Sequence, residues 1–239
     1  QRQMCIRDRL KVGYTGDFNY EDTILMQKAD VIDADVLLID ATYGHPQFSF
    51  PPRNLLYRII RDQLKRHLEN EKVLILRGYA LGKGQELTKL AWEFLGGRIT
   101  VDSKVGMYNR LYEEFTNKFL GKYALGTPGD ILITGLHKGK KNTDSYKSFV
   151  FSGWVSINSS IYGFPLSSHN SFLRLIDYIL KVYPSYLITL YTYKDFLASF
   201  INREFDIPAL PIDSLTPDFK FTRRISKNHK TFSLDYYTT

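Results

Sequence analysis

The chain has 239 residues, of which 44% are hydrophobic and 24% are charged, so it can bury the core of one large domain or of two modest ones. Its single cysteine, Cys5, excludes disulfide scaffolds and cysteine-based zinc sites. No apolar run approaches the ~20 residues that cross a bilayer, so we expect no membrane association and a reducing, cytoplasmic location.

The formal net charge is +7, and aromatic residues make up 15% of the chain. Cationic side chains attract phosphates and aromatic rings stack on bases, so this composition is typical of proteins that bind nucleic acid. A general bias towards lysine and tyrosine predicts the same numbers. Composition alone does not decide between the two interpretations.

Residues 1–9 have neither clear strand nor helix periodicity, and they are predicted to be a non-native leader, so the fold prediction leaves them out. The run at residues 36–39 is wholly apolar, as expected for a strand buried on both faces. Alternating strands and helices predict α/β layers with largely parallel sheets. The predicted strands are 10–14, 36–39, 73–76, 99–101, 131–134, 148–151, 186–191 and 209–212, and the predicted helices are 51–68, 85–95, 108–119, 171–182 and 194–204.

Three polar residues follow apolar runs at distant points of the chain. Asp17 lies in a turn after the first strand, Asp40 ends the buried strand, and His169 follows two serines. Each has an ordinary explanation when taken singly, as a turn residue, a loop cap or a polar helix start. Together they favour a metal-dependent hydrolase, because the ends of buried strands are where an α/β fold gathers ligands.

Five segments, in this order, resemble motifs of the β-CASP group of metallo-β-lactamase-fold nucleases. The resemblance extends over about residues 10–212 and implies the second half of such a nuclease, similar to archaeal-type messenger RNA 3′-end processing enzymes and to exonucleases. The segments are Tyr-Thr-Gly-Asp-Phe at 14–18, Asp-Ala-Thr-Tyr-Gly at 40–44, Tyr-Ala-Leu-Gly-Lys-Gly-Gln-Glu-Leu at 79–87, Ser-Gly-Trp at 152–154 and Phe-Pro-Leu-Ser-Ser-His at 164–169.

The resemblance implies an α/β fold built from the C-terminal half of a metallo-β-lactamase αββα sandwich with an inserted parallel-sheet α/β domain. Residues 10–45 and 162–213 would form the lactamase-like part, and residues 46–161 would form the inserted β-CASP domain. Residues 214–239 are polar and basic without an apolar period, and are predicted to be a tail.

The resemblance also implies roles for the site residues. Asp17 matches the carboxylate that bridges two zinc ions, His169 matches the imidazole that reaches the scissile phosphate or leaving oxygen, and Asp40 matches its orienting partner. A tight turn is the favoured interpretation of the glycines around Lys83, with a phosphate contact as the alternative. The weaker predicted substrate contacts are Thr42, Tyr43, Ser167, Ser168, Lys83, Lys138 and Lys140.

Two departures from the family pattern limit the interpretation. No His-x-His-x-Asp-His motif precedes Asp17, so we expect the chain as written to be a fragment that is inactive by itself. Tyr191 stands where RNA-directed members carry a third-motif histidine, and a phenol is a poor zinc ligand at neutral pH. This substitution implies a weakened second zinc site, a DNA substrate, or a silent paralogue that acts as a scaffold. The expected partner is single-stranded RNA or DNA, and a homodimer is left open.

Overall fold

In the computed structural model the chain divides into two compact units. Unit 1 consists of Gln1–Glu21, Lys28–Ser49 and His169–Thr239, and unit 2 consists of Asp22–Gln27 and Phe50–Ser168. The residues that the structure describes are 3–7, with backbone only, and 10–70, 72–126, 129–136, 142–143, 145–158, 160–216 and 218–221.

The strands and helices follow the predicted alternation. The strands are β1 (Gln3–Arg7), β2 (Leu10–Tyr14), β3 (Val36–Asp40), β4 (Val73–Gly78), β5 (Ile99–Val101), β6 (Ala124–Leu125), β7 (Ile131–Gly135), β8 (Tyr146–Phe151), β9 (Gly163–Phe164), β10 (Tyr186–Leu190) and β11 (Ala209–Pro211). The helices are α1 (Arg53–Glu69), α2 (Lys83–Leu90), α3 (Ser103–Thr116), α4 (Phe172–Val182) and α5 (Lys194–Glu204).

The sheet of unit 1 has the order β1-β2-β3-β10-β11. Neighbouring strands are parallel except β1 and β2, which pair in antiparallel register. The central β3 is buried, and its Leu37 and Ile39 join one apolar core with Ile179 of α4 and Ile201 of α5. Burial on both faces explains why residues 36–39 of β3 are all apolar.

β1 is a strand at Gln3–Arg7, where the sequence pattern predicted neither strand nor helix. These residues pair with β2 along its whole length, from Gln3 opposite Tyr14 to Arg7 opposite Leu10. Main-chain hydrogen bonds along an edge strand do not require an apolar period, so the pattern gave no signal. That residues 1–9 are a non-native leader stays a prediction.

The sheet of unit 2 is parallel throughout the described strands, in the order β6-β5-β7-β4-β8-β9. Leu56, Ile60 and Leu64 of α1 recur every fourth residue and pack into the same core as Leu74 and Leu76 of β4. The α/β class with parallel sheets is therefore confirmed.

The ends of α3 show why its predicted bounds were displaced. The side chain of Asp102 accepts a hydrogen bond from the N–H of Val105 at 2.8 Å and caps the start of the helix. Asn117 then adopts a left-handed backbone, with φ of 52°, and ends it. The apolar spacing alone marks the middle of this helix and not its caps.

The predicted segment boundaries lie close to the limits of the two units without coinciding with them. Apart from Asp22–Gln27, which belongs to unit 2, the chain leaves unit 1 after Ser49 and returns to it at His169, whereas the sequence places these points after residues 45 and 161. The start of the predicted tail is packed: the rings of Phe219 and Phe221 lie 6.0 and 5.3 Å from the ring of Tyr186. Among the described helices, none combines the length and apolar character of a membrane span.

Candidate active site in unit 1

The candidate site lies where neighbouring parallel strands of unit 1 end. Tyr14 at the end of β2 is in register with Leu38 of β3, and Asp40 at the end of β3 is opposite Leu190 of β10. The N–H of Asp40 donates to the hydroxyl of Thr15 at 3.3 Å, which ties the end of β3 to the end of β2. Three strand ends therefore place their following residues on one edge of the sheet.

Asp40 and His169 form the centre of this site. Nδ1 of His169 lies 2.6 Å from Oδ2 of Asp40, although 129 positions separate the two residues. A carboxylate can only accept, so Nδ1 carries the hydrogen and Nε2 is the atom turned towards the rest of the site. Asp40 is 2% exposed, so this hydrogen bond is shielded from water.

Thr42 fixes the other oxygen of Asp40. Its N–H and its hydroxyl donate to Oδ1 of Asp40 at 2.8 and 2.6 Å. Both donors are directed at the carboxylate, so Thr42 orients Asp40. The substrate contact of Thr42 stays a prediction. Tyr43 is 3% exposed, and its ring meets the His169 ring edge-on at 5.9 Å. Burial corrects the predicted substrate contact of Tyr43.

Asp17 is the exposed member of the site. It follows Gly16, whose φ of 57° allows the chain to turn immediately after β2. The side chain of Asp17 is 71% exposed, and its Oδ2 lies 4.0 Å from Nε2 of His169. One ligand atom from each of Asp17, Asp40 and His169 can be chosen so that all lie within 4.8 Å of one another. The structure brings together the three residues that the sequence analysis singled out.

Asn170 is a site residue that sequence reasoning missed. Its side chain is buried, accepts the N–H of Tyr20 at 2.6 Å and donates to the carbonyl of Phe18 at 3.1 Å. The segment that follows Asp17 is thereby fastened to the neighbour of His169. The sequence suggested only a helix cap here, because a tether to a segment 150 positions away leaves no local pattern.

Tyr191 follows β10 in the left-handed region, with φ of 71°, where residues other than glycine are uncommon. Its hydroxyl lies 3.0 Å from the hydroxyl of Tyr14. The hydrogen bond with Tyr14, partial burial, and the negative charges of Asp17 and Asp40 raise the pKa of Tyr191 to about 12. Without a bound metal, Tyr191 is therefore a neutral phenol at pH 7.

Replacing Tyr14 by phenylalanine is expected to lower the pKa of Tyr191 towards 10.0, because the hydrogen bond with Tyr14 is the largest cause of the shift. The titration of Tyr191 is isolated by following phenolate absorbance against alkaline pH in Tyr14→Phe and subtracting the curve of Tyr14→Phe/Tyr191→Phe. A midpoint that stays near 12 would contradict the assignment. Because the folded-state pKa is raised, the stability that Tyr191 contributes is complete below about pH 10 and is lost as the pH rises to about 12.

The predicted phosphate contact of Lys83 is wrong. Lys83 is 2% exposed, and its ammonium group is bound inside unit 2 to Oε2 of Glu86. Arg53 and Tyr57 bind the other carboxylate oxygen of Glu86, at 3.2 and 2.6 Å. Gly82 has φ of 79°, so the tight-turn interpretation of this segment is confirmed.

The remaining predicted contacts lie in unit 2. Ser167 is buried, and its carbonyl accepts a hydrogen bond from Nη2 of Arg53 at 2.6 Å, so its predicted substrate contact is corrected. Ser168 is exposed, and its substrate contact stays a prediction. Lys138 and Lys140 lie outside the described residues.

Comparison with known proteins gives matches to nucleic-acid enzymes. No protein-family profile matches the chain. An RNase J-like protein of Methanocaldococcus jannaschii is 35% identical over 82 residues, 34% of this chain and 20% of that protein. The transcription termination factor FttA of Lokiarchaeum sp. is 37% identical over 84 residues, 34% of this chain and 13% of that protein. The chain is related to the archaeal β-CASP nucleases.

A further match is longer and has a lower identity. A probable DNA ligase of Opitutus terrae is 25% identical over 191 residues, which are 74% of this chain and 19% of that protein. The chain spans 20% or less of the length of the curated relatives that it matches. The chain also aligns with the crystal structure of a protein of unknown function from Enterococcus faecalis V583. The alignment covers 87% of this chain and 57% of the Enterococcus chain, with 11% sequence identity and a TM-score of 0.52. That likeness concerns the fold alone.

The side chains of this cluster are of the types that bind zinc, but too few of them are available as ligands. Carboxylate and imidazole are both zinc ligands, and zinc sites use three or four protein ligands. Both oxygens of Asp40 already accept hydrogen bonds from Thr42 and His169, so Asp40 acts as an orienting partner. Among the described residues this cluster therefore offers two candidate zinc ligands, the exposed carboxylate of Asp17 and Nε2 of His169, whose atoms lie 4.0 Å apart.

Proposed function

We propose that the chain supplies part of the active site of a nuclease that hydrolyses phosphodiester bonds in single-stranded nucleic acid. The observation that carries the proposal is the Asp40–His169 hydrogen bond of 2.6 Å, with Asp17 on the same edge of the sheet. The relationship to β-CASP nucleases supports the choice of a phosphodiester substrate.

Each residue has a distinct task in this proposal. Asp40 accepts from Nδ1 of His169 and so fixes the ring and its tautomer. Nε2 then contacts the scissile phosphate or, when protonated, donates its proton to the leaving oxygen. Thr42 and the ring of Tyr43 hold this pair in place. Asp17 is exposed and faces Nε2.

Zinc is the cofactor that we propose, with Asp17 as the ligand that the chain contributes. When bound, zinc activates water and stabilises the negative charge that develops on the phosphate. Tyr191 is a neutral phenol at the position of the third-motif histidine, so one of the two zinc sites of the family pattern would lack a ligand. We further propose that unit 1 is part of a metallo-β-lactamase sandwich and that unit 2 is the inserted domain.

Two observations favour DNA over RNA as the substrate. Tyr191 stands where the resemblance implies a histidine in RNA-directed members, and the match that covers 74% of the chain belongs to a probable DNA ligase. The archaeal relatives instead include proteins named as RNases. We therefore propose a single-stranded substrate with DNA as the first choice.

A second candidate function is a silent paralogue that binds nucleic acid or an active partner. Tyr191 favours it, because the phenol removes one zinc ligand. The intact Asp40–His169 pair opposes it, since a protein without catalysis has no need to orient an imidazole beside an exposed carboxylate.

The test compares labelled single-stranded DNA and RNA, with zinc and with a chelator, for the 239-residue chain and for the product of its whole gene. We expect zinc-dependent cleavage by the gene product and none by the 239-residue chain. If the gene product cleaves neither the DNA nor the RNA, the enzyme proposal is overturned. Tight binding without cleavage would favour the scaffold function. Strong cleavage by the 239-residue chain would refute its expected inactivity.

A further inference from the structure

A groove in unit 2 lies beside the C-terminal half of α3 and the segment that leads to β6. Its volume is about 710 Å³, within the range of pockets that hold a nucleotide-sized ligand. None of its lining residues belongs to the candidate site of unit 1. We call it the basic groove, and its lining includes Arg110, Glu113, Lys118, Phe119, Lys122 and Tyr123.

Glu113 builds the wall of the basic groove. One oxygen of its carboxylate accepts the N–H of Leu120 at 2.9 Å, and the other accepts the hydroxyl of Tyr123 at 3.0 Å. Gly121 has φ of 126°, and a Cβ placed there would meet the side chain of Trp92 at 2.4 Å. These contacts hold the segment from Leu120 to Tyr123 in a defined conformation. Both carboxylate oxygens of Glu113 accept hydrogen bonds from that segment.

The charge that remains in the basic groove is positive. Lys118 donates to the carbonyl of Leu25 at 2.9 Å, which fixes its stem at the edge. Arg110 and Lys122 are exposed, and neither makes a hydrogen bond or ion pair within the described part of the chain. Three cations against one internally bonded carboxylate form a site for an anion such as a phosphate.

An exposed aromatic surface accompanies these cations. Phe119 lines the groove and is 56% exposed, and its ring meets the ring of Trp92 at 5.9 Å in an edge-on arrangement. More than half of the Phe119 side chain is exposed, so the ring offers surface on which a base can stack. A base stacked on such a ring contributes about 1–3 kcal/mol in single-strand-binding proteins.

We propose that the basic groove binds a segment of single-stranded nucleic acid, with phosphates at Arg110 and Lys122 and a base against Phe119. The choice of nucleic acid over an acidic peptide rests in part on the proposed function. The exposed ring beside unpaired cations supports the same choice, because a base offers a flat π-face next to its phosphate.

The test measures the binding of labelled oligothymidylate and oligouridylate to the 239-residue chain by fluorescence anisotropy, with a chelator present so that no metal-dependent cleavage contributes. Arg110→Ala/Lys122→Ala is expected to raise Kd about tenfold and to reduce the slope of log Kd against log salt by about 1.4, since each single-strand phosphate contact contributes about 0.7. The control, Arg58→Ala/Lys65→Ala, removes the same charge from exposed positions of α1.

Phe119→Leu keeps an apolar side chain and removes the ring, and is expected to raise Kd about tenfold with an unchanged salt slope. Kd values within twofold of the α1 control for both groove variants would overturn the proposal, as would tighter binding of polyglutamate than of the oligonucleotide. The readout does not involve Asp17, Asp40 or His169. A gene product without nuclease activity would therefore sink the proposed function and leave the groove result standing.

Discussion

Replacing His169 by alanine is expected to lower turnover of single-stranded nucleic acid by two to four orders of magnitude, the usual contribution of a positioned acid–base group (about 10²–10⁴). Substrate binding should change by less than about twofold, because phosphate charge is met chiefly by cationic groups elsewhere. The measurement is kcat and Kd of the whole-gene product with labelled DNA, and unchanged kcat would mean that His169 has no part in the reaction.

The matched control is His45→Ala, which removes an imidazole from the same unit. The ring of His45 packs against Phe196 at 4.2 Å, and its Nδ1 accepts the N–H of Gln47 at 3.3 Å. These contacts are structural, so turnover should stay near that of the unchanged protein. Asp40→Asn adds a separate test, since an amide can present a donor to Nδ1 and reverse the tautomer; turnover should fall with the fold intact.

Glu86→Gln is expected to lower the free energy of unfolding of unit 2 by about 3–5 kcal/mol, the usual cost of leaving a buried charge without its partner. Burial by itself raises the pKa of Glu86, but Lys83, Arg53 and the hydrogen bond from Tyr57 hold that pKa below its ordinary value. The carboxylate is therefore charged at neutral pH. Without it, Lys83 and Arg53 lose the counter-ion that they share.

Urea unfolding followed by tryptophan fluorescence reports on unit 2 alone, because both tryptophans, Trp92 and Trp154, lie in it. The matched control is Glu93→Gln, which breaks an exposed ion pair with Lys89 and should cost at most about 1 kcal/mol. A loss for Glu86→Gln no larger than for the control would contradict the role of Glu86.

The sequence was sufficient for features that depend on local patterns. The wholly apolar residues 36–39 predicted β3. Because Asp17 and Asp40 each follow an apolar run, the sequence also predicted that they lie at the ends of strands. The turn at Gly82 followed from glycine spacing before a helix. These signals are local, because a strand, a turn or a helix start is chosen by residues that are adjacent in the chain.

Features that depend on distant partners were not predictable. Lys83 is a charged residue next to a glycine, and its ion pair with Glu86 makes its burial tolerable. The carboxylate of Glu86 is in turn held by Arg53, which lies 33 positions away in the chain. β9 has two residues, too few for any periodicity. The left-handed backbone of Tyr191 contradicts the local preference of tyrosine and is maintained by its surroundings.

The buried amide of Asn170 already orders the segment that follows Asp17, so a ligand has less of that segment left to order. Phe18 and Tyr20, on the far side of Asp17, are fixed to the chain beside the imidazole before any ion or phosphate arrives. A loop that is already in place loses little conformational entropy on binding, so more of the contact energy is expressed as affinity. The buried side chain of Asn170 thus limits how far the chain beside the Asp17 carboxylate can move from the His169 ring.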